Sequence, residues 1–88
     1  MNPDFYIKTL EELIRARKAA GISQARLAAM LGRPQSFVAK YEGSERRVDV
    51  AEFFQIAEAL GEDPYRMLRR AESAESATVR PAKAPSRS

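Results

Sequence analysis

The chain has 88 residues and a formal net charge of +3, which fits one small domain. It contains no cysteine and no histidine, so a disulfide framework is excluded and the usual zinc ligands are missing. No apolar run approaches the ~18 residues of a membrane span, and the N-terminus lacks the basic and apolar regions of a signal peptide. We therefore expect a cytoplasmic protein that holds no metal and no cofactor.

The positive charge is concentrated in residues 24–47. Five basic and two acidic side chains in this segment account for the whole net charge of +3. The basic ones are Arg26, Arg33, Lys40, Arg46 and Arg47. Such a local excess is what a surface that faces DNA phosphates requires, so its position is more informative than the total.

Apolar residues recur at helical spacing and no segment alternates as a strand would, so the sequence predicts five helices. The first begins at Asp4 or at Thr9 and ends near Ala20. Thr9 would begin it if Thr9 and Glu12 form a capping box. Gly21 suits the position just after the helix end.

Two short helices follow. The second has Ser23 as its N-cap and ends at Gly32, where a left-handed residue turns the chain. The third begins at Pro34 or Gln35 and ends near Glu42.

The fourth helix has the clearest start, because Asp49 can cap it and Glu52 can complete a capping box. It ends at Gly61, and the fifth helix begins at Pro64. Apolar side chains on these two helices are expected to supply much of the core: Val50, Phe53, Phe54, Ile56, Ala57, Leu60, Tyr65, Met67 and Leu68.

Residues 73–88 consist mainly of Ala, Ser and Pro, with Val79 as their single large apolar side chain. Such a segment buries too little apolar surface to offset its ordering entropy. We expect a disordered, mildly basic tail behind one domain of residues 1–72. The tail is either solvated without a role or adds non-specific attraction to DNA.

Residues 24–43 combine the second and third helices with the glycine turn between them. Apolar residues stand at Leu27, Leu31, Val38 and Tyr41, and the small Ala28 and Gly32 lie where only small residues let the helices cross closely. This pattern is typical of a helix-turn-helix. From Thr9 to Leu68 the chain resembles the XRE family of lambda-repressor-like (Cro/cI-type) DNA-binding domains. The resemblance implies an all-α, compact five-helix domain.

A helix that enters the major groove presents its N-terminal residues and its outward face to the base edges. With Val38 on the buried face, the outward residues of the third helix are Gln35, Ser36, Ala39 and Lys40. Gln35 is the expected base reader, because its amide can pair with adenine. Phe37 lies at the flank; it either packs against the fourth helix or the following loop, which is the favoured interpretation, or contacts a thymine methyl.

The expected phosphate contacts lie at the edges of these two helices: Gln24, Arg33, Arg46 and Arg47. The family resemblance agrees for Gln24, since relatives commonly carry a glutamine there that contacts the DNA backbone. It also implies an ion pair between Arg17 and Glu42 that ties the third helix to the first. Some relatives place a basic residue where this chain has Val48-Asp49, so we expect no minor-groove insertion here.

An enzyme is not expected, because the sequence offers no nucleophile–base pair and no glycine-rich phosphate loop. The polar outward face of the third helix favours base edges over a protein-docking module. A small transcriptional regulator that binds double-stranded DNA fits best, and a restriction–modification controller or a phage repressor fits the length equally. An antitoxin is a further alternative, although Val79 as the single large apolar residue of the tail disfavours toxin binding in a groove. Because one such helix covers half a site, we expect a homodimer on a palindrome. Residues 5–7 and the fifth helix either form its interface or complete the core.

Overall fold

The computed structural model describes residues 3–75, which form five α-helices and no strand. The helices are α1 (Pro3–Ala19), α2 (Gln24–Met30), α3 (Ser36–Glu42), α4 (Val50–Ala59) and α5 (Pro64–Glu75). The five-helix prediction is confirmed. The predicted start of the tail at Ser73 falls inside α5, and the rest of the predicted tail, residues 76–88, lies outside the described residues.

The core lies where α1 packs against α5 and α2 packs against α3, with α4 in contact with α1, α2 and α5. Every helix contributes to it. Its largest fully buried side chains are Tyr41, Leu13, Leu27, Ile56, Met67 and Val38. Burial of side chains of this size contributes roughly 1.5–3 kcal/mol each, so this core fixes the position of α3 on the rest of the domain.

The helix caps follow the predicted chemistry. The Ser23 hydroxyl accepts a hydrogen bond from the Arg26 amide at 3.0 Å and so caps α2. At α4, the Asp49 carboxylate accepts from the Glu52 amide at 2.7 Å, and the Glu52 carboxylate accepts from the Asp49 amide at 3.1 Å. Both caps are confirmed, and the second one places the Glu52 carboxylate at the start of α4.

Two helix starts differ from the prediction. α1 begins at Pro3, and the Thr9 hydroxyl donates to the Phe5 carbonyl oxygen at 2.8 Å inside the helix. The capping box of Thr9 and Glu12 is therefore wrong. α3 begins at Ser36 because Gln35 is its N-cap, although Gln35 already has helical backbone angles.

Some side-chain expectations also change. Ala28 is fully buried at the crossing of α2 and α3, but a Cβ added at Gly32 would meet no atom within 4 Å. Gly32 is needed for its φ of +66° and not for its small size. Val50 was expected in the core, but it is 75% exposed and does not belong to it. Tyr65 is also largely exposed, at 61%, although its ring meets Phe54 edge to face at 5.3 Å.

Candidate functional site

The outward face of α3 presents an unbroken polar surface. All four predicted base-reading residues are exposed: Gln35, Ser36, Ala39 and Lys40. The opposite face buries Phe37, Val38 and Tyr41 in the core. Within residues 3–75, the side chains of Gln35, Ser36 and Lys40 have no hydrogen-bond partner, and Gln35 makes no side-chain cap bond. Their donors and acceptors are therefore available to a ligand that lies along α3.

The C-terminal end of α3 is fixed by the Glu42 carboxylate, which accepts three hydrogen bonds from two residues, Arg17 and Gln24. Arg17 donates to Glu42 twice, from Nε at 2.7 Å and from Nη2 at 3.0 Å, and it also donates to the Ile22 carbonyl oxygen at 2.8 Å. The Arg17 and Glu42 side chains are only 10% and 7% exposed. The hydrogen bond from Arg17 to Glu42 raises the pKa of the guanidinium above its ordinary value. This bidentate pair connects the ends of α1 and α3.

Gln24 belongs to the same cluster. Its amide nitrogen donates to the Glu42 carboxylate at 2.9 Å, and the side chain is half-buried. One of the two amide hydrogens of Gln24, which was predicted to contact phosphate, is thus bound within the protein. The structure brings Gln24, Arg17 and Glu42 together, so the first turn of α2 is fixed relative to the last turn of α3.

A second carboxylate connects the two loops that flank α3. Glu52 accepts a hydrogen bond from Arg33 Nη2 at 2.9 Å and two from Arg46, from Nη1 at 2.8 Å and from Nη2 at 2.7 Å. The Glu52 side chain is 7% exposed, while Arg33 and Arg46 are 33% and 40% exposed. Two of the predicted phosphate contacts therefore share one buried carboxylate on α4.

The ring of Phe37 lies beneath both arginines. The guanidinium carbon of Arg33 is 4.5 Å from the ring centroid, and that of Arg46 is 4.9 Å from it. Phe37 is 6% exposed and also meets Tyr41 edge to face at 5.3 Å. Phe37 is therefore a packing residue, as the favoured interpretation has it. Cation–π attraction to its ring further stabilises the position of each guanidinium.

The hydrogen bond from Arg46 is the largest influence on the pKa of Glu52. Together with the hydrogen bonds from the Asp49 amide and Arg33, it lowers this pKa from 4.5 to about 2 against the opposing effect of burial. Glu52 is therefore ionised throughout the physiological pH range. Together with Arg33 and Arg46 it forms a cluster of net charge +1 beside α3.

Arg47 is held on another aromatic side chain. Its guanidinium carbon lies 4.1 Å from the centroid of the Tyr6 ring, and the Tyr6 hydroxyl accepts a hydrogen bond from the Val48 amide at 3.1 Å. The Arg47 side chain remains exposed. Tyr6 thus attaches the loop after α3 to α1, and Asp49 in the same loop serves as the cap of α4.

Sequence reasoning missed two of the residues that organise this surface. Glu52 was assigned only as a cap, and Tyr6 only as a core or interface residue. Their partners are distant along the chain: Tyr6 bonds the amide of Val48, 42 positions away, and Glu52 bonds Arg33, 19 positions away. The sequence carries no signal that connects Glu52 with Arg33 or Tyr6 with Val48, because these contacts form only in the folded chain.

An apolar groove of about 220 Å³ lies between the N-terminal half of α1, the loop before α4, and α4 itself. Its polar lining is limited to Thr9, Arg47 and Asp49 beside the Tyr6 hydroxyl. No group of three or more potential metal ligands occurs among residues 3–75. Across the same range, no helix is long and apolar enough to cross a membrane.

Comparisons with known proteins match this architecture. A family model described as Helix-turn-helix matches residues 13–66, which is more than half of the chain. A solved structure described as an XRE-family like protein from Pseudomonas syringae pv. tomato str. DC3000 is 50% identical, with a TM-score of 0.77. The match covers 82% of this chain and 88% of that one. No functionally curated protein matches the chain significantly.

Proposed function

Because the chain belongs to the helix-turn-helix proteins of the XRE family, as its sequence indicated, we propose that it is a sequence-specific transcriptional regulator that binds DNA with α3 in the major groove. The observation that carries this proposal is the polar outward face of α3, whose side chains are exposed and have no partner within residues 3–75. A docking surface for a protein would be expected to carry large apolar side chains there, and α3 carries none on that face.

In this proposal Gln35 is the main base reader. It stands at the N-terminus of α3 with its amide free to pair bidentately with an adenine, while Ser36 and Lys40 hydrogen-bond neighbouring bases or a phosphate. Ala39 is small enough to let the helix approach closely, and its methyl group can contact a thymine methyl. Gln24, Arg33, Arg46 and Arg47 then contact the DNA backbone on either side of the helix.

We also propose that two copies bind one palindromic operator. α3 has seven residues and is therefore about 10 Å long, which covers only a few base pairs. One copy thus reads half of a site of ordinary length, and a two-fold pair would place the two helices about 34 Å apart, in successive major grooves. The stoichiometry of the complex, measured by sedimentation with a short duplex, tests this point.

The experiment that tests the function is selection of bound duplexes from a random DNA pool at two salt concentrations. We expect an enriched palindrome that persists at the higher salt, because base contacts depend less on salt than phosphate contacts do. Binding without enrichment that disappears as salt rises would show only generic attraction between charges. The protein-docking interpretation would then replace the regulator.

Gln35→Ala is the matching variant. Its loss should weaken binding to the selected duplex by about 1–3 kcal/mol and leave binding to a scrambled duplex nearly unchanged. Gln55→Ala is the matched control, since Gln55 is also an exposed glutamine but lies on α4 and is not among the residues assigned to DNA. An equal loss on both duplexes for Gln35→Ala would contradict its role as a base reader.

A further inference from the structure

The Glu52 carboxylate accepts four hydrogen bonds that join three separate segments of the chain. They come from Arg33 in the loop before α3, twice from Arg46 in the loop after α3, and from the Asp49 amide at the start of α4. The two arginines are 13 positions apart, with α3 between them. A single buried carboxylate on α4 therefore determines where both flanks of α3 carry their positive charge.

The contacts also restrict how these arginines can move. Each guanidinium is bound to Glu52 on one side and lies within 5 Å of the Phe37 ring centroid. A guanidinium has five N–H donors, and Glu52 and the Arg47 carbonyl oxygen use only some of those on Arg33 and Arg46. Since both side chains are at least one-third exposed, the remaining donors can reach a phosphate without breaking the bonds to Glu52.

We infer that Glu52 is a positioning residue for DNA recognition, which holds Arg33 and Arg46 in place on both sides of α3 before DNA arrives. This inference rests on the proposed function, because it assigns a role within the same surface. Long charged side chains lose conformational freedom when they are immobilised in a complex, and Glu52 removes most of that loss in advance. Its negative charge also limits the attraction of the pair to DNA of any sequence.

Glu52→Gln separates this role from a purely structural one. Glutamine keeps the length of the side chain and can still complete the cap, but it loses the charge that orders the arginines. We expect binding to the selected duplex to weaken about tenfold, while binding to a scrambled duplex stays the same or strengthens, because the net charge rises by one unit. A loss of stability alone would instead weaken binding to both duplexes.

Ala57→Gly is the matched control. Ala57 is fully buried on the same helix and contacts neither arginine by hydrogen bond, so glycine there destabilises α4 without affecting the cluster. Binding is measured at a temperature where circular dichroism shows that all variants are folded. Ala57→Gly should then bind both duplexes like the wild type. Glu52→Asp is the second variant: it keeps the charge but is shorter by one methylene, and it should weaken binding to the selected duplex without strengthening binding to the scrambled one.

The decisive comparison repeats Glu52→Gln in a background that carries Arg33→Ala and Arg46→Ala. If Glu52 acts through the arginines, the tenfold loss disappears in this background. A loss of the same size with and without the arginines, or unchanged affinities for Glu52→Gln and Glu52→Asp in the wild-type background, would overturn the inference. Failure of the wild-type protein to prefer any duplex would instead contradict the proposed function, so the two results are distinct.

Discussion

Replacement of one partner of the Arg17–Glu42 pair should destabilise the domain strongly. The three test variants are Arg17→Met, Glu42→Leu and the combination of both, which replace ionic groups by apolar side chains of similar size. Arg17 makes three hydrogen bonds, two of them to Glu42, and both side chains are about nine-tenths buried. Arg17→Met leaves the Glu42 carboxylate with Gln24 as its only side-chain partner in the described part of the chain.

The expected cost of either single change is about 3–4 kcal/mol, because each leaves a buried charge without its counter-ion. A domain of this size has a free energy of unfolding of roughly 4–13 kcal/mol, so the loss is a large share of the total. It corresponds to a fall in Tm of roughly 12–30 °C. In the double variant neither charge of the pair remains, so the loss of stability should fall to about 1–2 kcal/mol. The reason is that an ion pair stabilises the folded state little more than well-packed apolar groups do.

Urea unfolding followed by circular dichroism provides the four free energies of a double-mutant cycle. Arg15→Met is the matched control: Arg15 is also on α1 and pairs with Glu12 and Glu62, but its side chain is 46% exposed, so we expect a loss under about 1 kcal/mol. If Arg17→Met costs no more than Arg15→Met, or if the two single losses simply add in the double variant, the reasoning from buried charge is wrong.

Three further predictions concern other side chains of the same surface. Arg47→Ala should weaken binding to all DNA alike and reduce the slope of log affinity against log salt by about one unit; an unchanged slope would contradict a phosphate contact. The pKa of Glu52 is about 2 in the folded state, below its ordinary value of 4.5, so its stabilising contribution is complete above pH 4.5 and is lost as the pH falls toward 2. Glu52→Gln should remove this part of the acid dependence in urea titrations. Tyr41→Phe should leave stability unchanged or raise it by about 1 kcal/mol, because the Tyr41 hydroxyl is buried without a hydrogen-bond partner among residues 3–75; a loss above about 1 kcal/mol by the same method would indicate a hydrogen bond to an ordered water.

The helices and their caps could be predicted because their causes are local. Ser23 and Asp49 each accept a hydrogen bond from an amide three residues later, so a short window of sequence contains all the atoms involved. Thr9 shows the limit of this reasoning. Its spacing to Glu12 fits a cap, but the turn before it is also helical, and then the hydroxyl bonds a carbonyl within the helix.

The outward face of α3 was predictable for a similar reason. Once Val38 is placed in the core, helical geometry determines which side chains point away from it, and Gln35, Ser36, Ala39 and Lys40 are all exposed. The role of each exposed residue toward DNA stays a prediction, since orientation alone does not identify the base or phosphate that it meets. Helical periodicity identifies which side chains are exposed but not which ligand they bind.

The arginine contacts could not be predicted from spacing. Arg33 and Arg46 are 13 positions apart along the chain, yet both lie over the Phe37 ring and both donate to Glu52 at the start of α4. These contacts depend on tertiary packing between segments that a periodic pattern treats separately. A count of basic residues therefore locates the positive charge along the chain but not the contacts that hold the arginines in place.

The contacts of Glu52 with the arginines change how the charge of this surface should be interpreted. Arg33 and Arg46 share the charge of Glu52, so the three groups present about one net positive charge to DNA and not two. Glu42, which the sequence count set against the basic residues, is instead neutralised by Arg17 from α1. The dependence of binding on salt follows the net charge that meets the phosphates. Lys40, which has no partner within residues 3–75, and the exposed Arg47 should therefore contribute more to generic attraction, while Arg33 and Arg46 contribute more to the orientation of α3.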